Sequence, residues 1–591
     1  MRRFVFALSA FVLALSAFFF VAARHRSASG AEPPPEAPAA AADAAARTAP
    51  PAEPRIENLD DLKRTVAEIP PAFACPSTES DRFRACDAMR VKARGAHAAA
   101  ARLLASAADS VQKAELEEIS KTIALRREPI AIAYLRALLE GVPSALQDLS
   151  AEKIENLKRN VAVGIEEGEH YIAAYPQSKA ISEARFYLMR LLFLNAEVAA
   201  KNWADAFELA RGAAPTLAER ETFRESYFAR IFHLIEAIEK DAALPATFKE
   251  RTLKIKADAF SSTGKAAQAA DLYVAHIAAW PGSDDVKSGL SYMAAIQHYL
   301  YAEVPEKAEA LGRRAIAACD NTKFFPHIVD FYFKALTATG KLQDAETLWL
   351  KYMPIFTQRA EDAKRADFER AGYRTYAEWA LFRLGYVTFA LLRYEQARDY
   401  FRQHLNFVKD YGKPLPPPLQ VHAQRSQYLL EVLQSKIMNP APELPAGNCW
   451  AGGRAFSLAE NRGKVIAVIF RTYSSPRAEP VLHYLQQQYE KYGQEAGPLA
   501  VVSIAFPRGT DNLPEQLGAL KKEMDELNLT FPSGFDPSPD RALFTKDYDV
   551  NVGSATLVFV DPEGRLAYYE QDPRPNAFGL FTRVIETLLK G

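Results

Sequence analysis

Four cysteines and one serine-rich turn are the residues of this 591-residue sequence whose types suit redox or nucleophilic chemistry. Thiol–disulfide exchange needs a thiolate, favoured at a helix N-terminus, and a second thiol to resolve the mixed disulfide. Cys75 and Cys86 stand in ACPSTESDRFRAC, too far apart for such a pair at a helix start. Their spacing suits a structural disulfide in an oxidising compartment, contributing about 2–4 kcal/mol. Cys319, in RRAIAAC, reads as a small buried hydrophobe on a helix. Cys449, in PAGNCWAGGRAF, carries two readings: a reactive thiol open to oxidation or to pairing with another chain, or a half-buried inert residue.

The turn is FRTYSSPRAEP, Phe470 to Pro480. It follows the strand signal GKVIAVI and leads into the helix signal VLHYLQQQYEKYG, so Tyr473, Ser474, Ser475, Pro476 and Arg477 fall between strand and helix. A serine nucleophile there needs a nearby base and an oxyanion hole, and His483 lies about two helical turns beyond Pro476. Ser475 followed by Pro476 instead reads as an N-cap and first helical position, with Pro480 kinking the helix. His170, in EEGEHY, and His327, in FFPHIVDF, have no partner at metal-ligand spacing, so no metal is expected. No cofactor is expected either. The run Glu166-Glu167-Gly168-Glu169 reads as a solvated helix face.

The length implies several domains, and the apolar content of 49% is that of a globular protein. A net charge of −1 and the absence of a basic stripe give no reason to expect nucleic acid as a partner. Residues 1–26 are different: Arg2 and Arg3 precede the apolar run Phe4 to Ala23, which is long enough to span a bilayer. They read as a signal anchor, or as a signal peptide cleaved near Val21-Ala22-Ala23. The charge bias leaves residue 1 in the cytoplasm and exports the rest, which predicts a periplasmic protein held in the inner membrane by this segment. Residues 27–55, rich in Pro and Ala, read as a semi-rigid linker.

From 56 to 438 helix follows helix. A small Ala recurs ahead of a bulky residue in NWADAFELA (Ala206), GKAAQAADLY (Ala269), PEKAEALGRRA (Ala308), GKLQDAETLW (Ala345) and RYEQARDYF (Ala397). YPQS at Tyr175 and WPGS at Trp280 form a second echo, and Gly385 marks a close helix approach. These features resemble the tetratricopeptide repeat. The resemblance implies an α-solenoid whose concave face binds a protein or peptide.

After NPAPELP the pattern changes to α/β. RAFSL, VIAVIF, LAVVSIAF, ATLVFVD and RLAYYEQD read as strands, with helices over PRAEPVLHYLQQQYEKYG, NLPEQLGALKKEMDEL and NAFGLFTRVIETLLK. That order predicts a central sheet with helices on both faces. PAPELP, FSLAENRGKVIAVIF, RAEP, PLAVVSIAF, FPSGFDP and VGSATLVFVDPEGRL follow one another, with a Gly-Gly hairpin after the first, in a way that resembles the TlpA/ResA-like thioredoxin family over residues 439–591. That resemblance implies extracytoplasmic thiol–disulfide exchange at a Trp-Cys-x-x-Cys turn opposite a cis-proline loop. Here TYSSPR occupies the turn, no cysteine lies between Trp450 and Gly591, and Ala555 stands at the proline position.

The expected protein is therefore multidomain, a tetratricopeptide-like helical solenoid followed by an α/β thioredoxin-like domain. Its expected role is a membrane-tethered interaction protein with a redox-inactive thioredoxin-like domain. The alternative is an oxidoreductase or peroxidase using Cys449, alone or with the Cys75/Cys86 pair.

Overall fold

The computed structural model describes residues 54–590 except 71–78, 146–150, 196–216, 411–416, 446, 448, 454, 474, 476, 477, 494–496, 507–512, 537–543, 545, 546, 549 and 551–554. The expected anchor and most of the linker lie outside the described residues. Among the described residues no helix is long and apolar enough to cross a membrane. The chain divides into two compact units, residues 2–265 and 266–591, so the expected junction at 438/439 falls inside the second.

The first unit is helical: α1 (Leu59–Ala67), α2 (Glu79–Ser106), α3 (Ser110–Ala145), α4 (Ala151–Ala174), α5 (181–195), α6 (Leu217–Glu239) and α7 (Ala246–Ser262). Asn58 starts α1 by accepting the Asp61 N–H at 2.9 Å. Ala93, Ala96 and Ala100 of α2 let α3 approach closely, burying Leu116, Ile123 and Ile130. Cys86 is buried in α2 and disulfide-bonded; its expected partner Cys75 lies outside the described residues. The acidic run is not wholly solvated. Glu166 and Glu169 are exposed, but helical periodicity turns Glu167 inward, where it pairs with buried Arg90 at 2.8 Å.

The helical part of the second unit comprises α8 (Ala266–Ala279), α9 (Asp284–Lys287), α10 (Leu290–Tyr301), α11 (Pro305–Ala318), α12 (Phe325–Ala338), α13 (Leu342–Glu361), α14 (Asp367–Ala390), α15 (Tyr394–Asp410) and α16 (Pro417–Ser435). One turn recurs. Glu303, Gly340 and Leu392 have left-handed φ of 59°, 73° and 60°, and the next residue in each case donates its N–H to the carbonyl five back: Val304 to Tyr299, Lys341 to Leu336 and Arg393 to Thr388. This is the six-to-one bond of a left-handed helix stop. Five residues after each left-handed position stands an expected small residue, Ala308, Ala345 or Ala397, fully buried. Gly264 ends the last helix of the first unit in the same way, with Lys265 donating to Phe260. Ala269 is fully buried, and Ala206 lies outside the described residues. Gly385 is a true close approach, since a Cβ there would meet the Phe401 ring at 2.6 Å. Tyr175 and Trp280 close their helices alike, each carbonyl accepting from the serine three residues on.

The rest of the second unit is α/β: β1 (Val465–Thr472), α17 (Glu479–Tyr492), β2 (Leu499–Phe506), α18 (Leu513–Glu526), β3 (Ser533–Phe535), β4 (Thr556–Val560), β5 (Leu566–Gln571) and α19 (Phe578–Leu588). The sheet order is β3-β2-β1-β4-β5, with β1, β2 and β3 parallel and β4 and β5 antiparallel. The protein is thus multidomain, a helical region followed by an α/β domain built on a mixed five-stranded sheet. β1 and β2 run side by side with Val465 opposite Leu499, and all eight residues of β2 are buried, as central parallel strands require.

Two expectations about this domain change. Residues 455–457 of RAFSL are not a strand; the added strand is β3, at the edge, where Trp450 forms a single bridge to Gly534. The three described helices also share one face. Two successive right-handed crossovers in one direction place α17 and α18 on the same side. Leu520 of α18 meets Ala505 and Phe535, and Tyr484 of α17 stacks on Phe578 of α19, whose Phe581 neighbours Phe559. The opposite face, at Phe470 and Phe506, is covered by Phe544 and Tyr548.

The α/β domain is docked on the helices of its own unit. Glu570 of β5, buried, accepts from Arg425 of α16 and from Tyr386 of α14, the latter at 3.0 Å. Phe389 of α14 stacks on Tyr568 with centroids 4.7 Å apart, and Tyr394 donates to the Ala567 carbonyl at 3.0 Å. Gly579 of α19 lies against the end of α12, where a Cβ would fall 2.0 Å from the Ala338 oxygen.

Candidate functional site at the degenerate turn

The chemistry of a strand–turn–helix unit belongs at the C-terminal end of the parallel strands, and the turn after β1 is there. Tyr473 and Ser475 are half-buried, while Ser474, Pro476 and Arg477 lie outside the described residues. The Tyr473 ring stands edge-on to Phe535 of β3 with centroids 6.2 Å apart, above an apolar cluster including Leu517, Leu520 and Met524 of α18. Tyr473 therefore packs as a lid over α18.

Ser475 is not the helix cap. The helix begins at Glu479 with Ala478 as N-cap, and Ser475 contributes only its carbonyl, which accepts the Ala478 N–H at 2.9 Å. Of the two prolines that could open this helix, Pro480 does so. It sits in the first turn, where its missing N–H costs nothing, so it starts α17 rather than kinking it. His483 is exposed and points along its own helix toward Glu479, 3.9 Å away, so it does not serve as a base for this turn.

Ala555, at the expected cis-proline position, comes to the same end of the sheet. β1 and β4 pair with Phe470 opposite Thr556, which puts Ala555 one step beyond, beside the last residues of β1. It is buried, and its carbonyl accepts the Asp572 N–H at 2.7 Å.

Cys449 is brought to this end too, next to β3, with its carbonyl accepting the Phe535 N–H at 2.9 Å. Its side chain is only 2% exposed. Burial pushes the thiol pKa up, and the Asp536 carboxylate nearby adds to the rise. A reactive cysteine needs the opposite setting, exposed and electropositive. Cys319 is likewise buried, at the end of α11, and its pKa is pushed up to about 11 by burial. Among the described residues no group of three His, Cys, Asp or Glu could hold a metal. His170 is exposed, and His327 stands beside Tyr376, centroids 5.0 Å apart.

One group here escaped the sequence reading. Arg471 is fully buried at the end of β1, its guanidinium forked onto Glu523 of α18 at 3.0 and 2.9 Å, with Nε donating to the Ser503 hydroxyl at 3.1 Å. The signal was present as a lone arginine closing the apolar run VIAVIFRT, a charge that must be paired if the strand is central.

No protein-family model matches the chain, and no curated protein matches it. Solved structures do match its C-terminal quarter. A thiol:disulfide interchange protein of the thioredoxin family from Chlorobium tepidum TLS is 22% identical, with 26% of this chain and 96% of that one covered and a TM-score of 0.21. A thiol-disulfide isomerase from Corynebacterium glutamicum is 22% identical, covering 26% and 97%, with a TM-score of 0.22. The thioredoxin domain of a thiol-disulfide oxidoreductase from Bacteroides vulgatus is 18% identical, covering 25% and 97%, with a TM-score of 0.21.

Proposed function

We propose that this chain is an extracytoplasmic, membrane-tethered interaction protein whose thioredoxin-like domain is redox-inactive and serves to bind protein or peptide. The observation that carries the reading is the state of sulfur at the sheet's C-terminal end. The turn after β1 has no cysteine, and the one thiol nearby, Cys449, is sealed under the β3 edge with a raised pKa. Exchange chemistry requires a thiolate and a resolving thiol, and a serine hydroxyl supplies neither.

The helices are read as tetratricopeptide-like, and the recurring left-handed turn followed by a buried Ala supports that reading. Tethering rests on the apolar run Phe4–Ala23, and a periplasmic location on its flanking charges. The surface around Tyr473 to Arg477 is read as the docking side of the thioredoxin-like domain.

The test is alkylation mass spectrometry on the native protein, with and without peroxide. The expected result is no modification of Cys319 or Cys449 until the chain is unfolded. Rapid native conversion of Cys449 to a sulfenic acid or mixed disulfide would overturn the redox-inactive reading and restore the oxidoreductase alternative.

A further inference from the structure

A cleft of about 330 Å³ lies where α16 meets the end of β5, at the seam between the helices and the α/β domain. One wall is a stripe of α16 at helical spacing, Val421, Gln424, Arg425 and Tyr428; the other is Gln571 and Asp572. This volume is at the small end for ligand clefts, roughly 300–1,000 Å³.

The charges in the cleft are already used. Arg425 is paired with Glu570 and Asp572 with Arg574, so neither an anion nor a cation finds a free counter-charge. The polar groups left over are the side-chain amides of Gln424 and Gln571, for which no hydrogen-bond partner exists among the described residues. Each amide both donates and accepts, which matches a peptide N–H and C=O. On the same wall as Gln424, Val421 is an apolar side chain that is 60% exposed.

The backbone edge adds to this. β5 is an outer strand whose first residue, Leu566, already exchanges hydrogen bonds with Met438 and Asn439. That pairing ends well before Gln571. The cleft also runs on from an interface the protein already makes, because Arg425 and Tyr428 contact β5 through Glu570 and Tyr569. Its other end borders the degenerate site, since Gln571 pairs with Thr556 and Asp572 donates to Ala555.

We propose that this cleft docks an extended segment of a partner polypeptide, with one apolar side chain set against Val421 and its main chain held between Gln424 and Gln571. The proposal rests on the peptide-binding reading above and locates it at the seam. Strand addition of this kind draws affinity from the main chain and selectivity from the pocket for one side chain.

The test uses the full chain as target for a phage-displayed library of random dodecapeptides, followed by binding of the enriched, fluorescently labelled peptides. The expected result is enrichment of a motif centred on one large apolar residue. Binding of those peptides is expected to weaken about tenfold or more with Val421→Glu, the scale of an interface hot spot, and to a lesser degree with Gln571→Ala. Val421 is exposed, so Val421→Glu should keep the parent urea midpoint. Peptides that bind equally well to Val421→Glu but are lost when residues 473–477 are replaced would overturn this cleft and leave the peptide-binding reading standing. Failure to enrich any peptide would overturn both.

Discussion

Arg425 and Glu570, 145 residues apart in the chain, form an ion pair that ties the last helix of the array to the outermost strand of the sheet. Glu570 is buried while the Arg425 side chain is 40% exposed, so the two ends of the pair are unequally hydrated. Loss of Arg425 leaves the carboxylate with only tyrosine donors. Arg425→Ala is expected to destabilise the second unit by about 1–3 kcal/mol, the cost of an under-satisfied buried acceptor. Glu570→Gln, which keeps a hydrogen-bonding group of the same shape, is expected to cost less. Urea unfolding followed by tryptophan fluorescence distinguishes them; equal midpoints for both variants and the parent would show that the pair contributes nothing to docking.

The glycines predict effects of opposite sign. A Cβ on Gly579 would fall 2.0 Å from the Ala338 oxygen, against backbone that cannot rotate away. Gly579→Ala should therefore lower the melting temperature, with a cost of about 1–3 kcal/mol from overpacking. Gly372 sits inside α14 with nothing within 4 Å, and Gly372→Ala should raise stability by about 0.5–1 kcal/mol through helix propensity. Parallel thermal melts would refute the close approach if both substitutions moved Tm in the same direction.

Beneath the turn, Arg471→Met strands Glu523 in a largely buried site. The expected cost is about 3–5 kcal/mol, typical of breaking one side of a buried pair. Replacing both, as Arg471→Met with Glu523→Leu, should recover most of that loss. A double variant no more stable than the single one would mean that the pair is held by its surroundings rather than by charge.

Acid should weaken the helical part of the second unit through its buried histidines. Burial lowers His298 to about 4, His327 to about 4 and His422 to about 3. In the unfolded chain these imidazoles take up protons near pH 6.5, so unfolding is increasingly favoured as pH falls. The stability they confer is complete above pH 6.5 and is lost progressively as pH falls from there to about 3, the folded value of His422. The expected observation is a urea midpoint that drops between pH 7.5 and pH 5, with a shallower drop in His298→Gln. A midpoint independent of pH over that interval would contradict burial of these rings in their neutral form.

Much of the α/β domain was readable because its strands are continuous apolar runs. LAVVSIAF became β2 residue for residue, and VIAVIF became most of β1. The strand over Ser533–Phe535 was not readable, since three residues containing a glycine carry no periodicity. The helix start was misread because Pro476 and Pro480 are equally good openers and only the tertiary path chooses between them. Cys449 could be located in the sequence but not weighed. Its burial comes from Gly534 and Phe535, about 85 residues downstream in a segment that pairs with it only after folding. The array's small residues were legible as composition, whereas their common place in one turn appears only with the backbone, because Glu303 and Leu392 are not residues that announce a left-handed φ.

The contact between Gly579 and the end of α12 also orders events in time. Synthesis runs from the N-terminus at roughly 5–20 residues per second, so Ala338 emerges tens of seconds before Gly579. Throughout that interval the end of α12 lacks the Gly579 contact it will make in the folded chain. Nascent chains of this protein therefore leave this end of the domain seam uncovered until the last helix is made, which gives a chaperone time to act there.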